Sequence, residues 1–180
     1  MDRRVKKSKA ALKKALLFLL KSKPINKIRI QELCEIADVN RSTFYSNYED
    51  LFHLLSDVYN DVYQEMNHSL GSVWMLKEVT NEKEHLTSIT DLLRYIKKNH
   101  SLFSILINNH DDYHFIIGYH DFIIHQLKLA SIQVDSTSFL YHFFGSFTLL
   151  QQWIKKGCPG DETLLARQIL SLSKSKINEN

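Results

Sequence analysis

Glycine, proline and cysteine are scarce in this sequence: its 180 residues include 5 Gly, 2 Pro and 2 Cys. So few helix-breaking residues predict long helices with few interruptions. The two cysteines, Cys34 and Cys158, do not make a disulfide framework, and two reduced thiols are the favoured interpretation. No apolar run is as long as a membrane span, and the basic N-terminus lacks the apolar core of a secretory signal. These absences predict a cytoplasmic protein that does not bind membranes.

The common catalytic signatures are also missing. The chain contains no G-x-G-x-x-G, no P-loop, no G-x-S-x-G and no H-E-x-x-H. Four histidines, His110, His114, His120 and His125, fall in one predicted helical region, but they lack a thiolate partner and the ligand spacing typical of a metal site. Ordinary surface and half-buried histidines are the favoured interpretation. We therefore predict neither an enzyme nor a bound cofactor or metal.

Positive charge is concentrated in the first quarter of the chain. Residues 1–45 hold 12 Lys and Arg against 4 Asp and Glu, a net charge of +8, whereas residues 46–180 carry a net charge of −5. Clustered positive charge is an electrostatic footprint for phosphate. The lysines and arginines nearest the N-terminus can either reach a nucleic-acid backbone or minor groove, or remain disordered in solvent. They are Arg3, Arg4, Lys6, Lys7 and Lys9.

A helix-turn-helix pattern lies within this basic region. Apolar residues at helical spacing predict a helix over 30–37, and Asp38 tolerates the left-handed conformation of a tight turn. Asn40 is a good N-cap for a second helix, predicted over 41–48. The second helix of such a motif can enter a DNA major groove. Its outward polar and aromatic face carries Arg41, Ser42, Tyr45, Ser46 and Asn47.

The run TFYSNYEDLFHLL, residues 43–55, resembles the recognition helix and the following helix of TetR-type transcriptional regulators, whose usual T-[FL]-Y-x-H-F it nearly reproduces. The resemblance implies an all-α protein of about nine helices. It also implies a three-helix helix-turn-helix DNA-binding head over 1–50 and a helical regulatory and dimerisation body over 51–180. Three positions differ from the family pattern: Asp38 replaces a usual Gly, Arg29 or Ile30 stands where Thr is frequent at the start of the second helix, and Leu51 replaces a phosphate-binding Lys.

A second resemblance lies near the C-terminus. The run FGSFTLLQQWIKKGCPGDETLLA is similar to the same region of TetR-like proteins grouped with dihydroxyacetone kinase regulators. Along the rest of the chain, apolar spacing predicts further helices, with Asp50 and Asp161 as N-caps and a helix-breaking turn at GCPGD. These helices are predicted over 3–22, 51–70, 82–98, 102–109, 113–131, 136–156 and 162–174.

The predicted head should bind a double-stranded DNA operator. Phosphate contacts position such a protein, whereas base-edge contacts carry the sequence information. The base-edge candidates are Arg41, Ser42, Thr43 and Ser46, and the phosphate candidates are Lys27, Arg29, Tyr45 and Asn47. Gln31, Asn40 and Tyr48 complete the predicted DNA-binding set, although the one-turn spacing of Tyr48 from Phe44 also allows both rings to face inward.

Aromatic side chains are dense in the predicted body. An ordinary core explains most of them, yet bulky aromatics with scattered polar groups also suit an apolar ligand pocket between helices. TetR-type regulators usually bind a small molecule in this region, so the resemblance implies an effector of unknown identity. The candidate ligand-binding residues are Tyr95, Phe103, Tyr119, His120 and Phe144.

The family also pairs its last two long helices with their copies to form a homodimer. The helix predicted over 136–156 has two apolar faces, one of which can serve the core and the other a partner. We assign to the interface the stripe that contains Phe143, together with apolar residues of the final helix. The candidate dimer-interface residues are Phe143, Phe147, Leu150, Ile154, Leu165 and Ile169.

The predicted function is sequence-specific DNA binding that controls transcription, by a homodimer that acts as a ligand-responsive repressor at a palindromic operator. The alternative from another class is a helical protein–protein adaptor or co-regulator whose head binds DNA only secondarily. An enzyme ranks third, because no nucleophile–base pair or metal set can be named in the sequence.

Overall fold

The computed structural model of the chain describes residues 3–71, 82–108 and 112–174. Every regular element in these ranges is helical, and the predicted all-α class is confirmed. The first four helices are α1 (Arg3–Leu20), α2 (Ile30–Ala37), α3 (Arg41–Tyr45) and α4 (Leu51–Leu70), with a short 3₁₀ turn at Ile25–Lys27. The others are α5 (Glu82–Lys98), α6 (His100–Asn108), α7 (Asp112–Leu129), α8 (Ser136–Lys155) and α9 (Glu162–Lys174).

The predicted bounds of α2, α4, α5 and α9 are confirmed, and the other helices differ at one or both ends. The largest difference is in α3, which ends at Tyr45 rather than at position 48 because Ser46 and Asn47 form a turn. Helix α6 begins at His100, so Ser101 lies inside it and Asn99 alone separates it from α5. Local turn hydrogen bonds, which periodicity does not report, decide these ends.

Side-chain caps begin two of the helices as predicted. Asp50 accepts from the His53 N–H at 2.8 Å, and Asp161 accepts from the Thr163 N–H at 2.8 Å. Asn40 stands at the N-cap position of α3, but its side chain makes no capping hydrogen bond, contrary to the prediction. Its backbone carbonyl instead accepts from the Phe44 N–H at 3.1 Å, which is the first bond of that helix.

One continuous hydrophobic core extends from the head into the body. Helix α1 packs on α2, α4 and α6, and α4 packs on α5 and α7. Within the head, the Phe44 ring is completely buried among leucines of α1 and α2. Burial of this apolar surface is the main source of stability for such short helices, which are marginal in isolation.

Helices α4 and α7 approach closely at Gly118. A Cβ added there would lie 2.5 Å from the Tyr63 hydroxyl oxygen, closer than such atoms can pack. That hydroxyl donates to the Phe115 carbonyl at 2.8 Å, and the Tyr63 ring is surrounded by aromatic side chains that restrict its movement. Glycine at this position therefore permits the hydrogen bond that ties α4 to α7.

The sequence predicts neither a metal site nor a membrane-spanning helix, and the described residues can be examined for both. Among the residues that the structure describes, no group of three or more His, Cys, Asp and Glu is arranged to hold a metal ion. His110, one of the four histidines considered above, lies outside the described residues. Within the same three ranges, none of the helices has the length and apolar character that crossing a bilayer requires.

Candidate nucleic-acid interface

The turn between α2 and α3 has the predicted left-handed residue. Asp38 has φ 52° and ψ 49°, a conformation that short polar side chains tolerate better than most. The Val39 N–H donates to the Cys34 carbonyl at 3.0 Å, which closes the end of α2 in the manner of a Schellman motif. The turn therefore ends α2 and leads into α3 without a glycine.

Helix α3 presents a polar face to solvent. Arg41, Ser42, Tyr45 and Ser46 are exposed, whereas Thr43 and Asn47 are half-buried. The Ser46 hydroxyl donates to the Ser42 carbonyl at 2.7 Å, and the Asn47 amide donates to the Thr43 carbonyl at 2.7 Å. These two side chains close the last turn of α3, so the structure gives each of them a local role in addition to any DNA contact.

Arg41 is held at the edge of α2. Its guanidinium donates to the Gln31 side-chain oxygen, and the Gln31 amide donates to Glu35 at 3.0 Å. These two hydrogen bonds orient the Arg41 guanidinium beside the exposed start of α3. Gln31, Asn40 and Arg41 also line one shallow cavity of about 480 Å³ between the two helices, so the structure brings these three predicted residues together.

Some basic side chains of the head are exposed to solvent, and others lie close to carboxylates of the protein. Lys27, which ends the 3₁₀ turn, and Arg29, which precedes α2, are both exposed, so a phosphate can reach them. Lys23 is paired with Glu32 at 2.6 Å, and Lys13 with Asp61 at 2.6 Å. Lys9 lies 3.5 Å from an Asp57 oxygen, so part of the positive charge counted in the sequence is neutralised within the protein.

Tyr48 does not lie on the polar face. Its side chain is 2% exposed, and its ring packs beside Phe44 with centroids 5.9 Å apart. Its hydroxyl donates to Asp57 of α4 at 2.7 Å. The prediction that Tyr48 contacts DNA is therefore wrong, because core packing uses the ring. The inward orientation that its spacing from Phe44 allows is the one observed.

The start of α4 differs in charge from the family pattern. Leu51, at the position where that pattern has Lys, is 8% exposed and belongs to the core. Exposed Glu49 and Asp50 precede it. A cationic anchor is therefore replaced by an apolar residue next to two carboxylates, and we expect the phosphate contacts to come from elsewhere in the head.

The five candidate ligand-binding residues form two aromatic groups. Tyr95 of α5 packs edge-on against Phe103 of α6, with centroids 5.8 Å apart. His120 of α7 stacks on Phe144 of α8 at 5.9 Å, beside Tyr119 on α7. The Tyr119 hydroxyl and the Asn67 Oδ1 are buried without a hydrogen-bond partner among the described residues. Such unpartnered atoms cost about 1–3 kcal/mol each, so a polar group that reached them would stabilise the body.

The prediction of a dimer contact is wrong for three of the six candidate residues, because their side chains are buried in the protomer core. Phe147, Leu150 and Ile154 are buried within the protomer, and Phe143 and Leu165 are half-buried against the same core. Those five residues therefore stabilise the protomer. Phe143 and Phe147 of α8 pack on aromatic rings of α7, and Leu165 lies on α9. Of the six candidates, Ile169 lines an exposed surface.

The opposite face of α8 forms an apolar groove with α9. The groove has a volume of about 700 Å³, and its side chains include Leu140 and Tyr141, which are 47% and 75% exposed. Gly145 lines the groove and has open space where a side chain would stand. We call this surface the α8–α9 groove. Its lining residues are Thr137, Leu140, Tyr141, His142, Phe144, Gly145, Ser146, Thr148, Leu149, Ile169 and Leu172.

Comparison with known proteins adds a family match over the body. Residues 83–175 match the TetR C-terminal family model described as "Transcriptional regulator C-terminal region". Among curated proteins, the chain is 23% identical over 175 residues to the "Uncharacterized HTH-type transcriptional regulator YxbF" of Bacillus subtilis (strain 168). The alignment covers 94% of this chain and 45% of that protein, so the chain spans less than half of its relative's length.

Two solved structures share the fold. A TetR transcriptional regulator from Streptococcus agalactiae 2603V superposes with a TM-score of 0.69 at 23% identity, covering 96% of each chain. A second structure, the dihydroxyacetone kinase operon activator DhaS, superposes with a TM-score of 0.56 at 20% identity. That superposition covers 92% of this chain and 93% of the DhaS chain. The fold of this chain is therefore shared with each of the two solved structures along nearly their whole length.

Proposed function

This chain belongs to the TetR family of transcriptional regulators, and from that membership we propose that it binds a two-fold symmetric DNA operator as a homodimer. In this proposal residues 1–50 are the DNA-binding head and residues 51–180 the regulatory and dimerisation body. The protein would act as a non-enzymatic, ligand-responsive repressor. The observation that carries the proposal is the exposed polar face of α3, set by a left-handed turn within a strongly basic segment.

The proposed base-edge contacts come from the exposed residues at the start of α3. An arginine fork suits the O6 and N7 acceptors of guanine, and Gln31 holds the Arg41 fork beside the exposed start of the helix. Lys27, Arg29 and the exposed Tyr45 hydroxyl would contact phosphates on either side. Ser42, Thr43, Ser46, Asn47, Gln31 and Asn40 remain in the proposed set, and Tyr48 is removed from it.

The proposed dimer uses the α8–α9 groove. Exposed apolar patches of this kind on a soluble protein commonly mark an interaction site. An exposed glycine in the middle of a helix costs about 1 kcal/mol relative to alanine, and Gly145 would allow a partner helix to approach closely. Ile169 stays in the proposed interface, and Leu140, Tyr141, Phe144 and Leu149 join it in place of the five residues that pack in the protomer.

The proposed effector site lies among the aromatic side chains of α4, α7 and α8. It is supported by the buried Tyr119 hydroxyl, which has no hydrogen-bond partner in the part of the chain that the structure describes and which a ligand acceptor would satisfy. His120 and Phe144 would place this site next to the proposed dimer surface, because Phe144 lines the groove and stacks on His120. Tyr95 and Phe103 remain candidates on the neighbouring helices.

A salt titration of DNA binding tests the proposed function. If a dimer makes about eight phosphate contacts, the logarithm of its association constant should fall against the logarithm of salt concentration with a slope of about −7. Lys27→Ala should make that slope shallower by about 2, one contact in each half-site. Binding is measured by fluorescence anisotropy with a labelled mixed-sequence duplex.

Lys98→Ala is the matched control for this titration, because it removes an equally exposed lysine from the body. Its slope should equal that of the wild-type chain. A wild-type slope between 0 and about −1 would mean that phosphate contacts contribute almost nothing, and would contradict the proposed function.

A further inference from the structure

A cluster of charged and hydroxyl groups joins the end of α3 to both α1 and α4. The Tyr48 hydroxyl donates to Asp57 Oδ2 on α4 at 2.7 Å. Lys13 of α1 lies 3.2 Å from Asp57 Oδ1 and also donates to the Asp57 backbone carbonyl at 3.2 Å. The Asp57 side chain is therefore the point at which α1 and the end of α3, both in the head, meet α4, the first helix of the body.

A second lysine and a second carboxylate complete the cluster. Lys9 Nζ lies 3.5 Å from Asp57 Oδ2 and 4.9 Å from the centroid of the Tyr48 ring, where a cation–π attraction adds to the ion pair. Lys13 also binds Asp61 at 2.6 Å. The lysines are four residues apart on α1 and the aspartates four apart on α4, so each pair lies on one helical face. The two oppositely charged faces oppose one another.

The protonation states of the central pair suit a persistent hydrogen bond. Burial of the Asp57 carboxyl raises its pKa, but hydrogen bonds from Tyr48 and Lys13 and the charges of Lys13 and Lys9 outweigh burial and hold the pKa below its usual value. Burial, and then the hydrogen bond to Asp57, raise the pKa of Tyr48. The depressed pKa of Asp57 means that its stabilising effect is lost only as pH falls below about 4.

We propose that Asp57 is a positioning residue for DNA recognition, which fixes α3 against α4 through the Tyr48 hydroxyl without contacting DNA itself. Tyr48 directly follows the turn that ends α3, and its N–H donates to the Phe44 carbonyl at 2.9 Å, so a displaced Tyr48 moves the last turn of the helix. The inference rests on the proposed function, in which α3 reads the operator.

The loss of this hydrogen bond should affect two kinds of DNA binding unequally. Base-edge hydrogen bonds need donors and acceptors at nearly fixed positions, whereas flexible lysines and arginines follow the phosphate backbone through small displacements. A recognition helix that is free to shift by a fraction of an ångström therefore loses specific affinity first. Binding to unrelated DNA, which depends on net charge, should hardly change.

Three variants and a matched control test the inference. Tyr48→Phe removes the donor, Asp57→Ala removes the acceptor, and Asp57→Asn keeps an acceptor oxygen for Tyr48. The control is Asp61→Asn, which also loses an ion pair with Lys13 but leaves the hydrogen bond between Tyr48 and Asp57 in place. Each full-length variant is titrated against the duplex recovered by selection with the wild-type chain, and against a scrambled duplex of equal length. Circular dichroism at the same temperature establishes that each sample is folded.

Tyr48→Phe and Asp57→Ala should each weaken binding to the selected duplex about tenfold. The double variant should also lose about tenfold rather than more, because both changes remove the same hydrogen bond. Asp57→Asn should recover most of that loss. Binding of Tyr48→Phe to the scrambled duplex should stay within about twofold of wild type. Asp57→Ala should match Asp61→Asn on that duplex, because both variants lose one negative charge. Tyr48→Phe remains informative if Asp57→Ala does not fold.

Unchanged affinity of Tyr48→Phe for the selected duplex would overturn the inference and leave the proposed function intact. So would an equal loss on both duplexes, or a loss in Asp61→Asn as large as that in Asp57→Ala. A wild-type chain that does not prefer any duplex over its scrambled form would overturn the proposed function itself, and the positioning role with it.

Discussion

Leu140→Glu is expected to convert the proposed dimer into a folded monomer and to weaken operator binding at least about 100-fold. In the protomer Leu140 is 47% exposed, so a glutamate there remains in contact with water and the fold is kept. In a dimer formed through the α8–α9 groove, the same carboxylate would be buried without a partner in both copies, which costs several kcal/mol. A monomer binds only one half-site and loses the benefit of two linked contacts.

Leu129→Glu is the matched control for this experiment. Leu129 ends α7, is 69% exposed, and does not line the α8–α9 groove. The control should therefore stay dimeric and keep its operator affinity. Sedimentation and circular dichroism on the same samples decide the matter. A Leu140→Glu chain that still sediments as a dimer, or a control that dissociates equally, would contradict the proposed interface.

Arg41→Ala should give the second large effect, a loss of operator binding together with a change in base preference. A bidentate arginine–guanine contact contributes about 1–3 kcal/mol of discrimination, and a symmetric dimer makes it twice, so the total loss is about 2–6 kcal/mol if the half-sites are independent. One position in each half-site should then accept other bases. Selection from random duplexes, followed by sequencing, measures both effects.

Two further variants separate base readout from charge in this experiment. Lys27→Ala removes one positive charge from the same part of the head and should weaken all sequences about equally, because phosphate contacts carry no base information. Gln31→Ala removes the side chain that holds the Arg41 guanidinium and should cost less than the loss of the fork itself. An unchanged base preference in Arg41→Ala would count against the role proposed for it.

The head could be predicted from the sequence to within a few residues. The α2 bounds, the left-handed Asp38 and the inward-facing Phe44 all follow from local rules of spacing and turn chemistry. The placement of Tyr48 shows where such rules end. Its hydroxyl partner, Asp57, is nine residues away on another helix, and a pattern within one helix does not report that contact.

Helix α8 could not be oriented from the sequence, because both of its faces are apolar. Phe147 and Leu150 lie in the protomer core, and Leu140 and Tyr141 lie in the groove, yet the two stripes have similar spacing and similar residue types. Only the packing of neighbouring helices decides which stripe is enclosed. The clearest signal available was Gly145, since a glycine in the middle of a long helix often marks a close approach by another backbone.

The charged cluster around Asp57 was missed although the sequence contained a signal for it. Lys9 and Lys13 are four residues apart on one predicted helix, and Asp57 and Asp61 are four apart on another. Each pair therefore occupies a single face, and opposite charges on the first helix of the head and the first helix of the body favour their contact. The lysines were counted instead with the charge available for phosphate, and the structure shows both of them close to carboxylates.

The central claim, that a symmetric pair of α3 helices reads the operator, is tested most directly by selection of random-sequence duplexes with the wild-type, full-length chain. We expect the enriched sequences to contain two inverted half-sites, with centres separated by about 10–10.5 base pairs or a multiple of one helical turn. That spacing places both helices in major grooves on one side of the duplex. Enrichment of a single, asymmetric half-site, or no enrichment at any salt concentration, would contradict the account.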